Sequence, residues 1–181
     1  MKVLLDACVL YPTVMRELLL GAAKSGLYQP LWSARILEEW ARATRKLGPE
    51  AEVIARGEIA LARAAFPRAE VLPAPGLEAR LWLADENDIH VLASAISGSA
   101  DILLTMNAKD FPQNTLGPEG LTRRDPDGYL WQLWSEHPET VAKIAEQIRR
   151  TAAQMSGQPW DIRKLMKKAR LPRLGKALAQ G

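Results

Sequence analysis

Four carboxylates stand where the chain turns from one element to the next. Asp6 ends the apolar run Val3-Leu4-Leu5, Glu39 lies in a helix capped by Ser33, Asp88 opens another helix, and Asp110 follows the run Ile102–Thr105. Two unit charges ~5 Å apart repel by ~3 kcal/mol at an effective dielectric of 20, so acids that converge call for a cation between them. Oxygen donors without a Cys/His pairing at zinc-like spacing favour Mg²⁺ or Mn²⁺. Such ions bind phosphate, activate water and stabilise both oxygens of an in-line displacement at phosphorus, which points to phosphodiester hydrolysis. Each acid taken alone has a plainer reading. Asp6 suits an Asx-turn, Glu38-Glu39 a solvated helical face, Asp88 a carboxylate on a helix dipole, and Asp110 an ion pair with Lys109. Only convergence separates the two readings.

Convergence depends on the elements that carry these acids. Val3–Leu5 and Ile102–Thr105 read as buried strands, and Glu70–Leu72 as a short one entering a Pro-rich loop. Thr13 is expected to cap a helix running to Lys24, and Gly26 to stop it. Pro30-Leu31-Trp32 reads as a connection. Ser33 is a natural N-cap for a helix over 34–46, Pro49 begins the next, and Leu77–Ala84 is left open. Asp85-Glu86-Asn87 starts a helix carrying Ile89, Leu92, Ala93 and Ile96. Alternating strands and helices give a parallel sheet with helices on both faces, and such sheets bind ligands at the carboxyl ends of their strands. Beyond residue 126 only helical patterns occur, so the division expected is a sheet domain over 1–125 and a helical extension over 126–181.

Composition fits this layout. The chain has 181 residues, 48% hydrophobic and 25% charged, with 12 Gly and 12 Pro, which excludes disorder and describes one globular domain with a small appendage. The single cysteine, Cys8, cannot form an internal disulfide, and its apolar neighbours suggest a buried small side chain. Met1-Lys2-Val3-Leu4-Leu5-Asp6 holds too few apolar residues for a signal peptide, and no apolar run suggests a membrane span, so a cytoplasmic location is expected. Net charge is +3, but residues 149–181 hold nine Lys/Arg against one Asp/Glu while the rest is net acidic. This split suggests an anionic partner for Arg163, Lys164, Lys167, Lys168, Arg170, Arg173 and Lys176.

Leu5-Asp6-Ala7-Cys8-Val9-Leu10-Tyr11-Pro12, Trp32-Ser33 with Leu37-Glu38-Glu39-Trp40, Asp88-Ile89-His90-Val91-Leu92-Ala93-Ser94-Ala95, and Leu104-Thr105-Met106-Asn107-Ala108-Lys109-Asp110-Phe111-Pro112 occur in that order. Together they resemble the PIN-domain family, and most closely its bacterial VapC-like toxins. The likeness covers about residues 1–125. It implies a three-layer α/β/α sandwich with a central parallel sheet, a helical C-terminal extension, and cleavage of RNA with Mg²⁺ or Mn²⁺. By position, Asp6, Glu39, Asp88 and Asp110 would be the catalytic, metal-binding acids, with Asp85 in reserve and Thr105 and Asn107 as polar supports. Cys8 stands where many members carry a small polar residue. The resemblance also implies an antitoxin protein as partner and a homodimer, with RNA as substrate.

Other residues carry weaker signals. His90, on an apolar helix, reads as a packing residue rather than a base, and His137 before Pro138 as a turn residue. The six tryptophans read mostly as core or docking anchors, with one or two free to stack on a base that spacing alone does not identify. Arg123-Arg124 suit RNA phosphates or a partner protein. The rival readings are a non-catalytic PIN-fold binding module for RNA or protein, and a phosphoacceptor receiver domain. The receiver lacks its paired acids after the first strand, and a haloacid-dehalogenase phosphatase would need an Asp where Cys8 stands.

Overall fold

The computed structural model describes residues 1–180. In chain order these form β1 (Lys2–Leu5), α1 (Ala7–Leu10), α2 (Thr13–Lys24), β2 (Gln29–Ser33), α3 (Ala34–Ala43), α4 (Pro49–Ala65), β3 (Glu70–Val71), α5 (Pro75–Arg80), α6 (Ile89–Ser97), β4 (Ile102–Leu104), α7 (Gln113–Leu116), β5 (Thr122–Arg124), α8 (Pro126–Glu136), α9 (Pro138–Ser156), α10 (Ile162–Lys168) and α11 (Pro172–Leu178). The strands make one five-stranded sheet, paired in parallel throughout, in the order β3-β2-β1-β4-β5. This is the α/β/α sandwich with a central parallel sheet, continued by a helical C-terminal region.

Two compact units divide the chain. The first comprises Met1–Tyr11 and Tyr28–Arg124, and the second Pro12–Leu27 with the residues from Asp125 onward.

In the first unit β1 is central and fully apolar past Lys2, because both faces of a parallel sheet are covered. The chain winds outward from β1 through β2 to β3, then returns to the other side of β1 for β4 and β5. The winding direction therefore reverses between β1 and β4, leaving a crevice at their carboxyl ends where loops part in opposite directions. Asp6 follows β1 and Thr105 follows β4, so both stand at that crevice.

Pro30-Leu31-Trp32 is not a connection but the middle of β2. A proline normally breaks an interior strand because it cannot donate to the ladder. Here Gln29 N–H donates to Met1 C=O toward β1, whereas Trp32 N–H donates to Ala69 C=O toward β3. Alternation aims position 30 toward β3 as well, and β3 begins only at Glu70 opposite Trp32, so no ladder bond is lost at Pro30. Ser33 then caps α3, its Oγ accepting from Ile36 N–H at 3.1 Å. The helix expected over 34–46 ends at Ala43 and tightens into a 3-10 turn over Thr44–Leu47. The open stretch 77–84 is helical to Arg80, with Leu81 extended and the rest irregular.

The second unit is helical. Thr13 is the first residue of α2 rather than its cap; the capping position is Pro12, without a side-chain bond. Gly21 on α2 lies so close to α9 that a Cβ there would sit 2.8 Å from Ile144 Cγ2. The first turn of α11 has no cap of its own. Asp127 on α8 supplies one, accepting from the backbone N–H groups of Arg173 and Leu174, both at 2.9 Å. No helix among the described residues is long and apolar enough to cross a membrane.

Candidate metal centre

Backbone geometry at the crevice decides which acids are committed locally and which are free. Asp6 is almost fully buried, and its two carboxylate oxygens are occupied by donors. Oδ1 accepts from Ala7 N–H at 2.7 Å, and Oδ2 from Thr105 Oγ at 2.7 Å and from the Cys8 thiol at 3.4 Å. Burial raises its carboxyl above the usual range, and these donors, chiefly Thr105, pull it partly back. Thr105 in turn accepts from Asn107 N–H at 3.0 Å, so the turn after β4 is tied to the acid after β1.

Asp85 and Asp88 stand three residues apart at the entrance to α6 and divide the work between them. Asp85 caps a 3-10 turn over Glu86–Asp88, accepting from Asn87 N–H at 2.9 Å. Asp88 occupies the N-cap position of α6 without a side-chain cap bond, so its carboxylate is left for the crevice. Asp110 arrives on the loop after β4, where Asn107 Nδ2 donates to its Oδ2 at 2.7 Å and lies 3.5 Å from Asp88 Oδ2. One oxygen from each of Asp85, Asp88 and Asp110 lies within 4.8 Å of the others, a set that could hold a metal ion. Burial, then the negative charges of Asp6, Asp85, Asp110 and Glu39, push the Asp88 carboxyl up to about 6.

Glu39 comes from α3. Its neighbour Glu38 is engaged elsewhere, bound by Arg42 at 2.9 Å and Arg56 at 2.9 Å, and these arginines hold its carboxyl down to about 2. Glu39 instead faces His90, whose Nε2 lies 2.8 Å from its Oε1, and Arg35 at 3.5 Å. The imidazole contact is out of line for a hydrogen bond, so both ring nitrogens of this 3% exposed histidine lack a hydrogen-bond partner. Sequence reasoning expected a bonded packing histidine. Carboxylates that repel one another fit a site completed by a bound cation.

The structure thus gathers all five acids singled out in the sequence around Asp88, but the tight set is Asp85, Asp88 and Asp110. Asp85, expected only in reserve, belongs to it, whereas Asp6 and Glu39 lie around it. Cys8 departs from expectation too. It is half-buried rather than enclosed, and its sulfur also accepts from Met106 N–H at 3.3 Å and lies 3.4 Å from Thr105 Oγ1.

Arg123 was missed as a support. Its Nη1 donates to the carbonyls of Ala108 at 2.9 Å and Phe111 at 2.6 Å, clamping the loop that carries Asp110, while buried Phe111 anchors that loop's end. No periodic or motif signal marks such a side chain, because its partners are backbone carbonyls. Arg123→Met is expected to cost ~1–2 kcal/mol, lowering the melting temperature by about 3–6 °C. Hydrogen exchange should show faster opening across residues 108–112, and unchanged exchange there would contradict the clamp.

Acids gathered over the carboxyl edge of a parallel sheet, at the point where its winding reverses, define a nuclease-type α/β fold with a candidate metal centre. The chain belongs to the PIN-domain family: the family model described as PIN domain matches residues 2–109, a span that takes in Asp6, Glu39, Asp85 and Asp88 and ends one residue before Asp110. Members of this family are generally nucleases and typically use a divalent metal. No curated protein and no solved structure gave a match.

Proposed function

We propose that this protein is an endoribonuclease dependent on Mg²⁺ or Mn²⁺, acting as the toxin of a toxin–antitoxin pair. The observation that carries the nuclease reading is the Asp85, Asp88 and Asp110 oxygen set at the crevice, beside buried Asp6. Asp88, Asp110 and Asp85, with Asp6 behind them, would hold the ion; bound there it supplies Lewis acidity toward a phosphate oxygen and a more acidic water. Glu39 would orient the attacking water and take its proton. Thr105 and Asn107 hold Asp6 and Asp110 in position. Hydrolysis forms one P–O bond to the water oxygen and breaks one P–O bond to the leaving ribose oxygen.

The toxin assignment rests on the likeness to VapC-like sequences, and with it come an antitoxin partner, a homodimer and a cytoplasmic setting. Arg163, Lys164, Lys167, Lys168, Arg170 and Arg173 would meet RNA phosphates or that partner. The test is cleavage of single-stranded RNA with Mn²⁺ by the full chain and by Asp6→Asn. Wild type should cleave and the variant lose nearly all activity. RNA binding without cleavage would favour a non-catalytic module, and labelling by acetyl phosphate would favour a receiver domain.

A further inference from the structure

We propose that Trp82 is a stacking platform for one nucleobase of a single-stranded RNA, set a nucleotide or two from the acid cluster. This rests on the nuclease reading above and names how its substrate is held.

The other five tryptophans have partners or cover. Trp32 and Trp40 lie in the core, Trp32 edge-on to Phe66 with ring centroids 5.9 Å apart. Trp131 lies under the Arg173 guanidinium at 3.7 Å, Trp160 under the Lys168 ammonium at 5.2 Å, and Trp134 is half-buried. Trp82 alone stands in solvent, 74% exposed. An exposed indole offers an apolar, polarisable face on which a base can stack.

Leu81 is extended, and Leu83 two residues on is buried while Trp82 between them faces solvent. Both ends of the segment are fixed. Arg80 binds Glu119 through two contacts of 2.8 and 3.0 Å, and Asp85 caps the turn that follows. The segment runs directly into Asp85, and three residues span no more than ~11 Å even when fully extended. A flat ring on a fixed segment loses little freedom when a base stacks on it. Stacking needs a free base face, which a duplex does not offer, so the ligand class is single-stranded RNA without strong sequence preference.

Steady-state cleavage in Mn²⁺ tests this. Trp82→Ala should raise KM roughly five- to a hundredfold with kcat little changed, and Trp82→Phe should restore most of the loss. Oligonucleotides with one abasic position each should reveal a single nucleotide whose missing base raises KM in wild type and has no further effect in Trp82→Ala. Unchanged KM in Trp82→Ala, or a loss that follows no particular nucleotide, overturns the platform. Fluorescence anisotropy of the same oligonucleotides in EDTA separates the two readings. Binding that depends on Trp82 without any cleavage by wild type sinks the nuclease reading and keeps the platform. Binding indifferent to Trp82 sinks the platform, and no binding with no cleavage sinks both.

Discussion

Asp88→Asn is expected to stabilise the metal-free protein while destroying its activity. In the wild type this carboxylate is partly desolvated and faces the charges of Asp6, Asp85, Asp110 and Glu39, which together push it up to about 6. Its half-exposed position allows solvent to screen much of that penalty, leaving ~1 kcal/mol to be recovered on neutralisation. In EDTA at neutral pH the melting temperature should rise by about 2–4 °C. Cleavage in Mn²⁺ should fall by about two to three orders of magnitude. The opposite sign in EDTA would assign Asp88 to capping α6, a role its lack of a side-chain cap bond argues against. Stability gained where function is lost is the signature of a site assembled against its own repulsion.

Acidifying the metal-free protein from pH 7.5 to about 5 should likewise raise its stability. Asp6 and Asp88 both have folded pKa values above their unfolded ones, so the folded state holds more protons above the ordinary carboxylate range, for Asp88 up to about pH 6. The stability they contribute is fully present below the unfolded value and is lost as pH rises through the folded one. Glu38, Glu52 and Glu146, held near 2 by arginine partners, act in the opposite sense but only as pH falls below about 4.5. The interval from about pH 5 to 7.5 therefore leaves those glutamates out. Saturating Mn²⁺ should invert the trend, since the ion binds the deprotonated acids. At a hundredfold excess over its Kd it adds ~2.7 kcal/mol, or about 5–10 °C, at pH 7.5 and much less at pH 5. Thermal melts at both pH values, with Mn²⁺ and with EDTA, check this. A Mn²⁺ shift independent of pH would place the ion elsewhere.

Much of this arrangement was legible in the sequence, for identifiable reasons. The runs Val3–Leu5 and Ile102–Leu104 announce central strands because only a sheet covered on both faces tolerates unbroken apolar residues. Ser33 and Asp85 mark helix or turn entrances because capping is a local interaction. Two strands were not legible. β2 contains Pro30, acceptable only because β3 starts too late to need its N–H, a fact of pairing that no local pattern carries. β5 reads Thr-Arg-Arg, as suits an edge strand whose charges discourage further pairing, and so lacks an apolar signature. Helix α11 carries no local cap in its own sequence, since its first turn is capped from α8 by Asp127. At the site, residue order gave the acids but not their grouping. Asp85 joins Asp88 and Asp110 through the bend entering α6, and tertiary placement alone sets that distance.

Cys8 gives the centre a further property. Burial and the adjoining Asp6 carboxylate push its thiol up to about 12, leaving roughly one thiolate in 10⁵ at neutral pH. Peroxides, alkylating agents and mixed disulfides all react through the thiolate. The thiol beside Asp6 is therefore expected to react slowly with all three, so mild oxidants should leave the crevice unmodified.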